Sequence, residues 1–366
     1  MKKTVVFIAL ILAAFCVFAN GATEKLSGTA GTIEEAKGYS VEKLIELAKA
    51  ETGNFTVYST SSKTDKNVKA FAEKYGLTGE FSAVKQSESA YYEAIEKLID
   101  GGSTDIDALV TQNGASLGVE LDAGNAINFV PSTVPAADTY AFMYYVKEFA
   151  ISKASAEAFT NVWDLTDTAV EVQFKKSGEP INQLFMAELT TDAWSAKLAT
   201  AYDAKFGAGK CDEALKSGNY KNAGYMFLDK FLSRVVNVSS EGDCAKNCAN
   251  AETPFVGFSP VSKYSLGETG NFNKVNFLEG MNGFKGYAYK FYYEISKTTD
   301  RPYTAMLYAY YLSDSNGIAT WTSEGNGIYS ATDPDIANLL NNCVIENFGD
   351  VRSSWANIVK LLETYV

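Results

Sequence analysis

The stretch Phe55-Thr-Val-Tyr-Ser-Thr-Ser-Ser62 decides the fold, because a strand pattern runs directly into a turn and then into a helix pattern. Residues 55–59 are rich in β-branched and aromatic side chains, which predicts a strand. The apolar residues that follow recur at helical spacing, namely Val68, Phe71, Ala72 and Tyr75, and Gly76 ends the predicted helix. A strand, a turn and a helix in this order open an α/β unit.

The same order recurs along the next fifty residues. A short strand is predicted at 79–84, and a helix with one apolar stripe follows it up to Gly101 and Gly102. A further strand at 106–110 ends in the loop 111–115. Alternating strands and helices predict an α/β fold with a mostly parallel sheet and helices on both faces. Ligands of such sheets bind beyond the carboxyl ends of the strands.

The second half of the chain repeats the alternation after a β-rich run at 140–151, which predicts a crossing between two lobes. Strands are predicted at 170–174, 235–238 and 255–258. The helices predicted from apolar spacing lie directly after Asn182 and at 192–206, 223–234, 333–345 and 353–364. A chain of 366 residues exceeds the size at which a single core stops growing, so two lobes are expected.

The amino terminus has the layout of a secretory signal peptide. Lys2 and Lys3 precede a short apolar run, and Val17-Phe18-Ala19 provides a cleavage site after Ala19. The alternative is a lipid anchor on Cys16, which Phe15 disfavours because small residues are expected before a lipidated cysteine. Residues 20–39 are rich in Gly, Ser, Thr and Ala, which predicts a flexible leader, and Ser40 is expected to cap the first helix.

Charge and composition exclude several classes of function. The net charge is −12 and the chain has only three arginines, which disfavours a nucleic-acid partner. The sequence contains no histidine, so it has no Ser-His-Asp triad, no Cys-His pair and no HExxH zinc helix. Catalysis by carboxylates alone is left open, but no pair stands out among the 44 acidic residues.

Four cysteines follow the predicted signal peptide: Cys211, Cys244, Cys248 and Cys343. An exported protein in an oxidising compartment can pair them in three ways. Cys244 and Cys248 enclose a short loop and form the favoured pair. Four free thiols are the alternative.

Polar residues at the predicted strand ends are the candidate ligand-binding residues. In the first lobe they are Ser59, Thr60, Ser61, Ser62, Gln112 and Asn113; in the second they are Asn182, Ser239, Ser240 and Ser259. Amides and hydroxyls at the start of a helix favour phosphate or carboxylate. Helix capping is the competing role of the serines, although one hydroxyl is enough for a cap.

Four stretches give the chain a resemblance to bacterial periplasmic solute-binding proteins of the ferric-iron, polyamine and thiamine group. They are residues 55–62, Asp105-Ile-Asp-Ala-Leu-Val-Thr-Gln-Asn-Gly114, Asn161-Val-Trp-Asp-Leu165 and Glu279-Gly-Met-Asn-Gly-Phe-Lys-Gly286. The resemblance covers residue 53 to the end and rests on the order and spacing of the stretches. It implies two α/β lobes with a ligand cleft between them that closes by a hinge motion.

The resemblance also implies the lobe boundaries and the function. The first lobe would comprise 53–145 plus 280–335, and the second 146–279 plus 336–366. The protein would capture a small solute in the periplasm and deliver it to an ABC permease in the inner membrane, as a monomer and without a cofactor of its own. The alternatives are a secreted hydrolase that uses carboxylates and a surface antigen or adhesin.

Relatives that carry ferric iron bind it through tyrosines. The chain has 22 tyrosines, and phenolates suit a small trivalent ion. Tyr145, at the predicted hinge, and Tyr264, in the second lobe, are therefore the candidate ligands if ferric iron is the cargo. The second lobe lacks an adjacent tyrosine pair at the corresponding position, which leaves a small polar or anionic organic solute as the other cargo.

Overall fold

The structure is a computed structural model that describes residues 28–103, 105–155, 159–264, 274–323 and 325–365. The predicted signal peptide and Cys16 lie outside these residues. The first part of the chain forms α1 (Gly28–Ala36), α2 (Val41–Ala50), β1 (Phe55–Ser59), α3 (Thr64–Tyr75), β2 (Phe81–Lys85), α4 (Glu88–Asp100), β3 (Ala108–Thr111), α5 (Gly114–Asp122), β4 (Ala126–Ile127) and β5 (Ala141–Ser152).

The second part begins with a 3-10 helix, Val162–Thr166, that a capping box on Asn161 initiates. It continues with β6 (Glu171–Phe174), α6 (Pro180–Leu189), α7 (Asp192–Phe206), α8 (Lys210–Gly218), α9 (Ala223–Arg234), β7 (Val236–Asn237), α10 (Glu241–Asn250), β8 (Phe255–Pro260), α11 (Val261–Tyr264), β9 (Val275–Phe277), β10 (Gly286–Ser296), α12 (Pro302–Leu312), β11 (Ile328–Ser330), α13 (Ile336–Leu339), β12 (Cys343–Ile345) and α14 (Phe348–Leu362).

One sheet runs through the molecule in the order β2-β1-β3-β10-β5-β8-β6-β7. The first strand group (β1, β2, β3) and the second strand group (β6, β7, β8) are each internally parallel. Among the described strands, every antiparallel pair includes β5 or β10. The predicted α/β units therefore correspond to the two parallel groups. The switch from parallel to antiparallel pairing occurs at the two long central strands, β5 and β10.

Strands β5 and β10 join the two groups. The first half of β5 pairs with β11, and its second half pairs with β8 from Lys147 to Ile151. The first residues of β10 pair with β12, and its end pairs with β3 from Tyr292 onwards. The crossing expected at 140–151 is thus a single continuous strand, antiparallel to a second crossing strand that the sequence analysis did not predict.

Aromatic side chains fill the core on both sides of the crossing strands. In the first group, Phe71 packs 4.9 Å from the ring of Tyr308 on α12. In the second, Phe258 lies 4.6 Å from Phe149 of β5. The apolar stripe predicted for α3 is buried at Val68, Phe71 and Ala72, as its spacing predicted.

Four sequence expectations about local structure are wrong. The supposed flexible leader contains α1, which is helical because Ile33 and Ala36 are buried against the core. The predicted helix 333–345 is instead the short α13 followed by β12, because Asn342 at φ 59° ends the helical turn and redirects the chain. The helix predicted at 353–364 begins earlier, at Phe348, and buries Val351, Ile358 and Leu362, whereas Val359 is exposed.

The fourth correction concerns the cysteines. Cys244 and Cys248 lie one turn apart on α10, and all four described cysteines are free and buried. The favoured Cys244–Cys248 pair is therefore not formed. Burial raises the pKa of the Cys244 thiol to about 11, which keeps it protonated and inert.

Candidate functional site

The carboxyl ends of parallel strands from both groups face the junction at the crossing strands. In the first group these ends are Ser59 of β1 and Thr111 of β3, and in the second they are Phe174 of β6 and Pro260 of β8. In the first group, β2 and β3 lie on opposite sides of β1, so the chain changes its direction of winding between β1 and β3. In the second group, β7 and β8 lie on opposite sides of β6 in the same way, so the change falls between β6 and β8. The helices that follow the two neighbouring strands therefore leave on opposite faces of the sheet. This is the position at which α/β sheets bind ligands.

A buried ammonium group lies at this junction, beside the second strand group. Lys147 of β5 is only 1 % exposed, and its Nζ lies 2.6 Å from Glu241 Oε1 and 2.9 Å from Asn182 Oδ1. Glu179 Oε1 is 3.6 Å away, and the ring of Tyr289 lies 5.5 Å from the ammonium. We call Lys147, Glu179, Asn182, Glu241 and Tyr289 the Lys147 cluster. A buried charge is stable only when it is paired in this way.

Two helix starts supply the acceptors of the Lys147 cluster. Glu241 is the first residue of α10, whose start Ser240 caps by accepting hydrogen bonds from Gly242 and Asp243. Asn182 lies in the first turn of α6 and donates from Nδ2 to the carbonyl of Lys175. Burial raises the pKa of Glu241 and nearby Glu179 adds to the shift, whereas Lys147 opposes it.

Glu179 is the member of the cluster that solvent reaches. Its side chain is 21 % exposed, and its second oxygen lies 3.6 Å from Lys175 Nζ. The charges of Lys147, Lys175, Glu179 and Glu241 therefore sum to zero. A surface with both positive and negative side chains suits a solute that offers both hydrogen-bond donors and hydrogen-bond acceptors.

Strand alternation separates the neighbouring tyrosines of β5. Tyr145 points to the same face as Lys147, and its ring lies 5.7 Å from that of Tyr289 and 4.7 Å from that of Phe291. Tyr144 points to the opposite face. Burial raises the pKa of Tyr145, so its phenol is protonated in this structure.

The turn after β1 lies at the junction beside the first strand group. Ser61 Oγ accepts from the Trp321 indole N–H at 3.0 Å, and Lys63 Nζ donates to the Trp321 carbonyl at 3.2 Å. Trp321 packs 5.9 Å from Phe142, which in turn lies 6.2 Å from Phe291. Aromatic side chains thus connect this turn to Tyr145 and the Lys147 cluster.

The four hydroxyls of the turn have different roles. Ser59 is fully buried, hydrogen-bonds Thr64 at 2.6 Å and accepts from the Ser61 amide, so its hydroxyl holds the turn itself in this structure. Thr60 accepts from Gln112 Nε2 at 3.2 Å, which places Gln112 beside the turn as expected. Ser62 is exposed and makes no hydrogen bond with a described residue.

Several other predicted residues are engaged in structural contacts. Asn113 is buried and caps α5 by accepting from Ser116. Ser259 is buried and donates to the Glu241 carbonyl at 2.9 Å, which holds the start of α10. Ser239 is exposed and makes no hydrogen bond with a described residue. Of the predicted second-lobe residues, the structure brings Asn182, Ser240 and Ser259 together around Glu241.

Tyr264 follows β8 and lies near Ser259 and Glu241. It is fully buried, its hydroxyl donates to the Gly257 carbonyl at 3.3 Å, and its ring packs 5.5 Å from Phe277. The Tyr264 hydroxyl is thus engaged by the backbone of β8, and its role as an iron ligand beside Tyr145 stays a prediction. The part of the chain that the structure describes contains no group of three or more His, Cys, Asp or Glu side chains that could hold a metal ion.

Sequence reasoning missed the residues at the centre of the site. Lys147 and Glu148 are charged residues within an otherwise apolar crossing strand, and that interruption was the available signal. Glu148 faces away and pairs with Lys285 at 3.0 Å. Glu179 and Glu241 each stand at a helix start, where an acidic residue is ordinary, so nothing in the sequence distinguished them.

Comparisons with known proteins agree with this geometry at the level of the fold. No family model matches the sequence, and a search of curated protein sequences finds no significant match. Solved structures do match over nearly their whole length. An IdiA/FutA protein of Trichodesmium in complex with iron and citrate has 16 % identity and a TM-score of 0.61, covering 86 % of this chain and 99 % of that chain.

Two further similar structures have the same coverage. Iron-bound HitA from Pseudomonas aeruginosa has 13 % identity and a TM-score of 0.59, covering 86 % of this chain and 99 % of that one. An ABC transporter substrate-binding protein from Bradyrhizobium japonicum has 13 % identity and a TM-score of 0.58, covering 86 % and 100 %. The chain thus has the α/β fold of periplasmic binding proteins, and the structures it resembles are binding proteins.

Proposed function

We propose that this protein is the solute-binding component of an ABC importer, that it is not an enzyme, and that it takes its solute at the junction between the two strand groups. The observation that carries the proposal is the convergence of four strand ends on the crossing strands, with the Lys147 cluster on one side and the Ser61–Trp321 turn on the other. The similar binding-protein structures support it.

In this proposal the lobes have the boundaries given by the resemblance, 53–145 plus 280–335 and 146–279 plus 336–366. Strands β5 and β10 would be the hinge because they are shared by both strand groups. Closure would bring the turn after β1 towards Glu179 and Glu241 and exclude water from the solute. The monomer would deliver the solute to a permease of the inner membrane.

The proposed location is the periplasm. The predicted signal peptide at 1–19 supports export, with cleavage after Ala19; a lipid anchor on Cys16 is the alternative. No helix among the described residues is long and apolar enough to cross a membrane.

A small polar organic solute with both donor and acceptor groups fits the site best. Glu179 offers an acceptor, Lys175 and Lys63 offer donors, and the exposed Ser62 and the Thr60–Gln112 pair offer groups of both kinds. Tyr145 and Trp321 supply apolar contact at the back. Recognition by a few polar groups among aromatic side chains is typical of small-molecule sites.

Ferric iron is the second candidate cargo, because two of the similar structures hold iron. Tyr145, Tyr289 and Glu179 could offer oxygen ligands at the junction. Such a site would need the phenols to ionise, and burial raises the pKa of Tyr145. An iron site here would therefore form only with a rearrangement of the junction or with an organic anion as a further ligand.

Thermal melting against a panel of amino acids, sugars, organic acids, polyamines and ferric citrate tests the function. A ligand present at 100 times its Kd stabilises the folded form by about 2.7 kcal/mol. A stabilising solute whose effect disappears in Glu179→Gln supports the proposed site. Turnover of a panel compound would favour the hydrolase, and stabilisation that Glu179→Gln leaves unchanged would place the site elsewhere.

A further inference from the structure

The last helix, α14, packs against helices from both strand groups. It lies along α6, which follows β6 of the second group, and along α5, which follows β3 of the first. The Glu188 carboxyl on α6 accepts from the Asn347 N–H at the start of α14, at 2.5 Å. The Tyr92 hydroxyl on α4 donates to the Asn113 carbonyl at the start of α5, at 3.0 Å. Helix α14 is therefore anchored to the second group and α5 to the first. We call the surface between them the α5–α14 contact.

The two helices start beside each other because their strands end beside each other on β10. Strand β3 ends at Thr111, which pairs with Tyr292, and β12 ends at Ile345, which pairs with Ala288. Only residues 289–291 of β10 separate the two strand ends. The helices that follow these strands therefore begin at one place, from opposite sides of the junction.

Two glycines on α5 allow the close approach of α14. A Cβ added at Gly114 would lie 2.8 Å from Glu346 Oε1 and 3.2 Å from Phe348 Cδ2. A Cβ added at Gly118, one turn further along α5, would lie 2.6 Å from Arg352 Cδ. Distances this short are below ordinary van der Waals contact, so a larger residue at Gly118 would push the two helices apart.

An exposed ion pair completes the α5–α14 contact. Arg352 pairs with Asp122 at the end of α5, and the two side chains are 35 % and 67 % exposed. Exposed ion pairs contribute little to stability and are screened by salt. The contact therefore depends mainly on the close packing at Gly114 and Gly118.

The α5–α14 contact lies behind the crossing strands as seen from the proposed solute site. Side chains of β10 alternate between the two faces of the sheet, so Tyr289 points to the face of the Lys147 cluster and Tyr292 to the opposite face. The Tyr292 ring packs 5.9 Å from that of Phe348 at the start of α14. A rotation about β5 and β10 that closes the solute face therefore widens the opposite face, where α5 and α14 touch.

We propose that the α5–α14 contact is a latch that holds the lobes apart on the solute face and has to yield when the lobes close. This inference rests on the hinge motion of the proposed function. Closure separates Gly114 and Gly118 from α14, whereas α14 stays on α6. The strength of the contact thus sets how often the lobes close without a solute. It also lowers the apparent affinity for the solute, because part of the binding energy is spent on breaking the contact.

Double electron–electron resonance between spin labels on Lys66→Cys and Ser239→Cys measures the width of the cleft without any solute. Both positions are exposed, the first at the start of α3 and the second after β7, whereas the four described natural cysteines are buried. Gly118→Leu overpacks the contact and should raise the share of short distances by about tenfold. Val119→Leu is the matched control on the same helix. Its side chain is 59 % exposed, so the distances should stay as in the wild type.

Arg352→Ala is the second latch variant. It removes the ion pair with Asp122 and the side chain that packs on Gly118, so it should shift the distances in the same direction by a smaller amount. Circular dichroism confirms that each variant is folded, and Arg352→Ala alone decides if Gly118→Leu does not fold. Distances equal to those of the wild type, or longer, in the folded latch variants would overturn the latch. The melting panel with Glu179→Gln does not depend on this contact and decides the proposed function separately.

Discussion

Lys147 Nζ and Glu241 Oε1 lie 2.6 Å apart in an environment where the lysine side chain is 1 % and the glutamate side chain 10 % exposed. The lysine comes from a crossing strand and the glutamate from the start of α10. The pair therefore fixes the position of that helix start relative to the crossing strands, and Asn182 does the same for α6.

We expect Lys147→Met to lower the free energy of unfolding by about 3–5 kcal/mol, because the substitution leaves buried Glu241 without its counter-ion. Glu241→Gln in the same chain removes that unpaired charge, so the double variant should recover part of the loss. Urea denaturation of both variants measures this. A Lys147→Met protein as stable as the wild type would show that the pair contributes nothing.

Two buried carboxylates make stability depend on pH. Burial is the main cause that raises the pKa of Glu188 to about 8 and that of Glu346 to about 7, from 4.5. Glu188 accepts from the Asn347 amide at 2.5 Å, and Glu346 accepts from the Lys290 amide. Because both pKa values are raised, their stabilising effect is complete below pH 4.5 and is lost as the pH rises through 7 to 8.

The protein should therefore unfold at a lower urea concentration at pH 8.5 than at pH 6, with a loss on the order of 4 kcal/mol from this pair. The double variant Glu188→Gln, Glu346→Gln keeps acceptors for both amides and cannot ionise. Its stability should change less over the same pH range. An identical pH dependence in the wild type and the double variant would contradict this assignment.

The local α/β units could be predicted from the sequence because their signals are local. The β1 strand, the turn after it and α3 follow from residues 55–76, and the predicted bounds 192–206 and 223–234 coincide with α7 and α9. The Lys147 cluster could not be predicted, because its members at 147, 179, 182 and 241 meet only when β5, α6 and α10 are packed together. Apolar spacing also misled at 333–345, where β12 forms by pairing with the start of β10.

Ser61 and Ser62 should differ in their contribution to stability. Ser61→Ala removes the acceptor of the buried Trp321 N–H, which costs about 1–3 kcal/mol when a buried donor is left unsatisfied. Ser62→Ala removes an exposed hydroxyl without a described partner and should change stability by less than about 0.5 kcal/mol. Thermal melting of the two single variants measures the difference, and equal melting temperatures would refute it.

The same two variants separate binding from capping once a solute is known. If the turn after β1 contacts the solute, Ser62→Ala should weaken binding by up to about tenfold through one lost hydrogen bond. Its unchanged stability makes that loss a direct effect on binding. Full affinity in Ser62→Ala would remove this hydroxyl from the site.

The mature chain should begin at Asn20, because Val17-Phe18-Ala19 fits signal cleavage. The intact mass of protein purified from its native host decides this. A mass that includes a diacylglycerol group on Cys16 would instead mean a membrane-tethered protein.

The tyrosines give the sharpest test of ferric iron as the cargo. If iron binds at the junction, the protein mixed with ferric citrate should develop the visible absorption of a phenolate bound to iron. Tyr145→Phe should abolish or shift that band, because Tyr145 lies on the face of the Lys147 cluster. Tyr264→Phe should leave the band unchanged, because Tyr264 is fully buried against Phe277 and donates to Gly257.

Loss of the band in Tyr264→Phe but not in Tyr145→Phe would show that the iron site lies beside Tyr264, behind β8. A colourless wild-type protein that an organic solute nevertheless stabilises against melting would exclude phenolate-bound iron and leave the organic cargo.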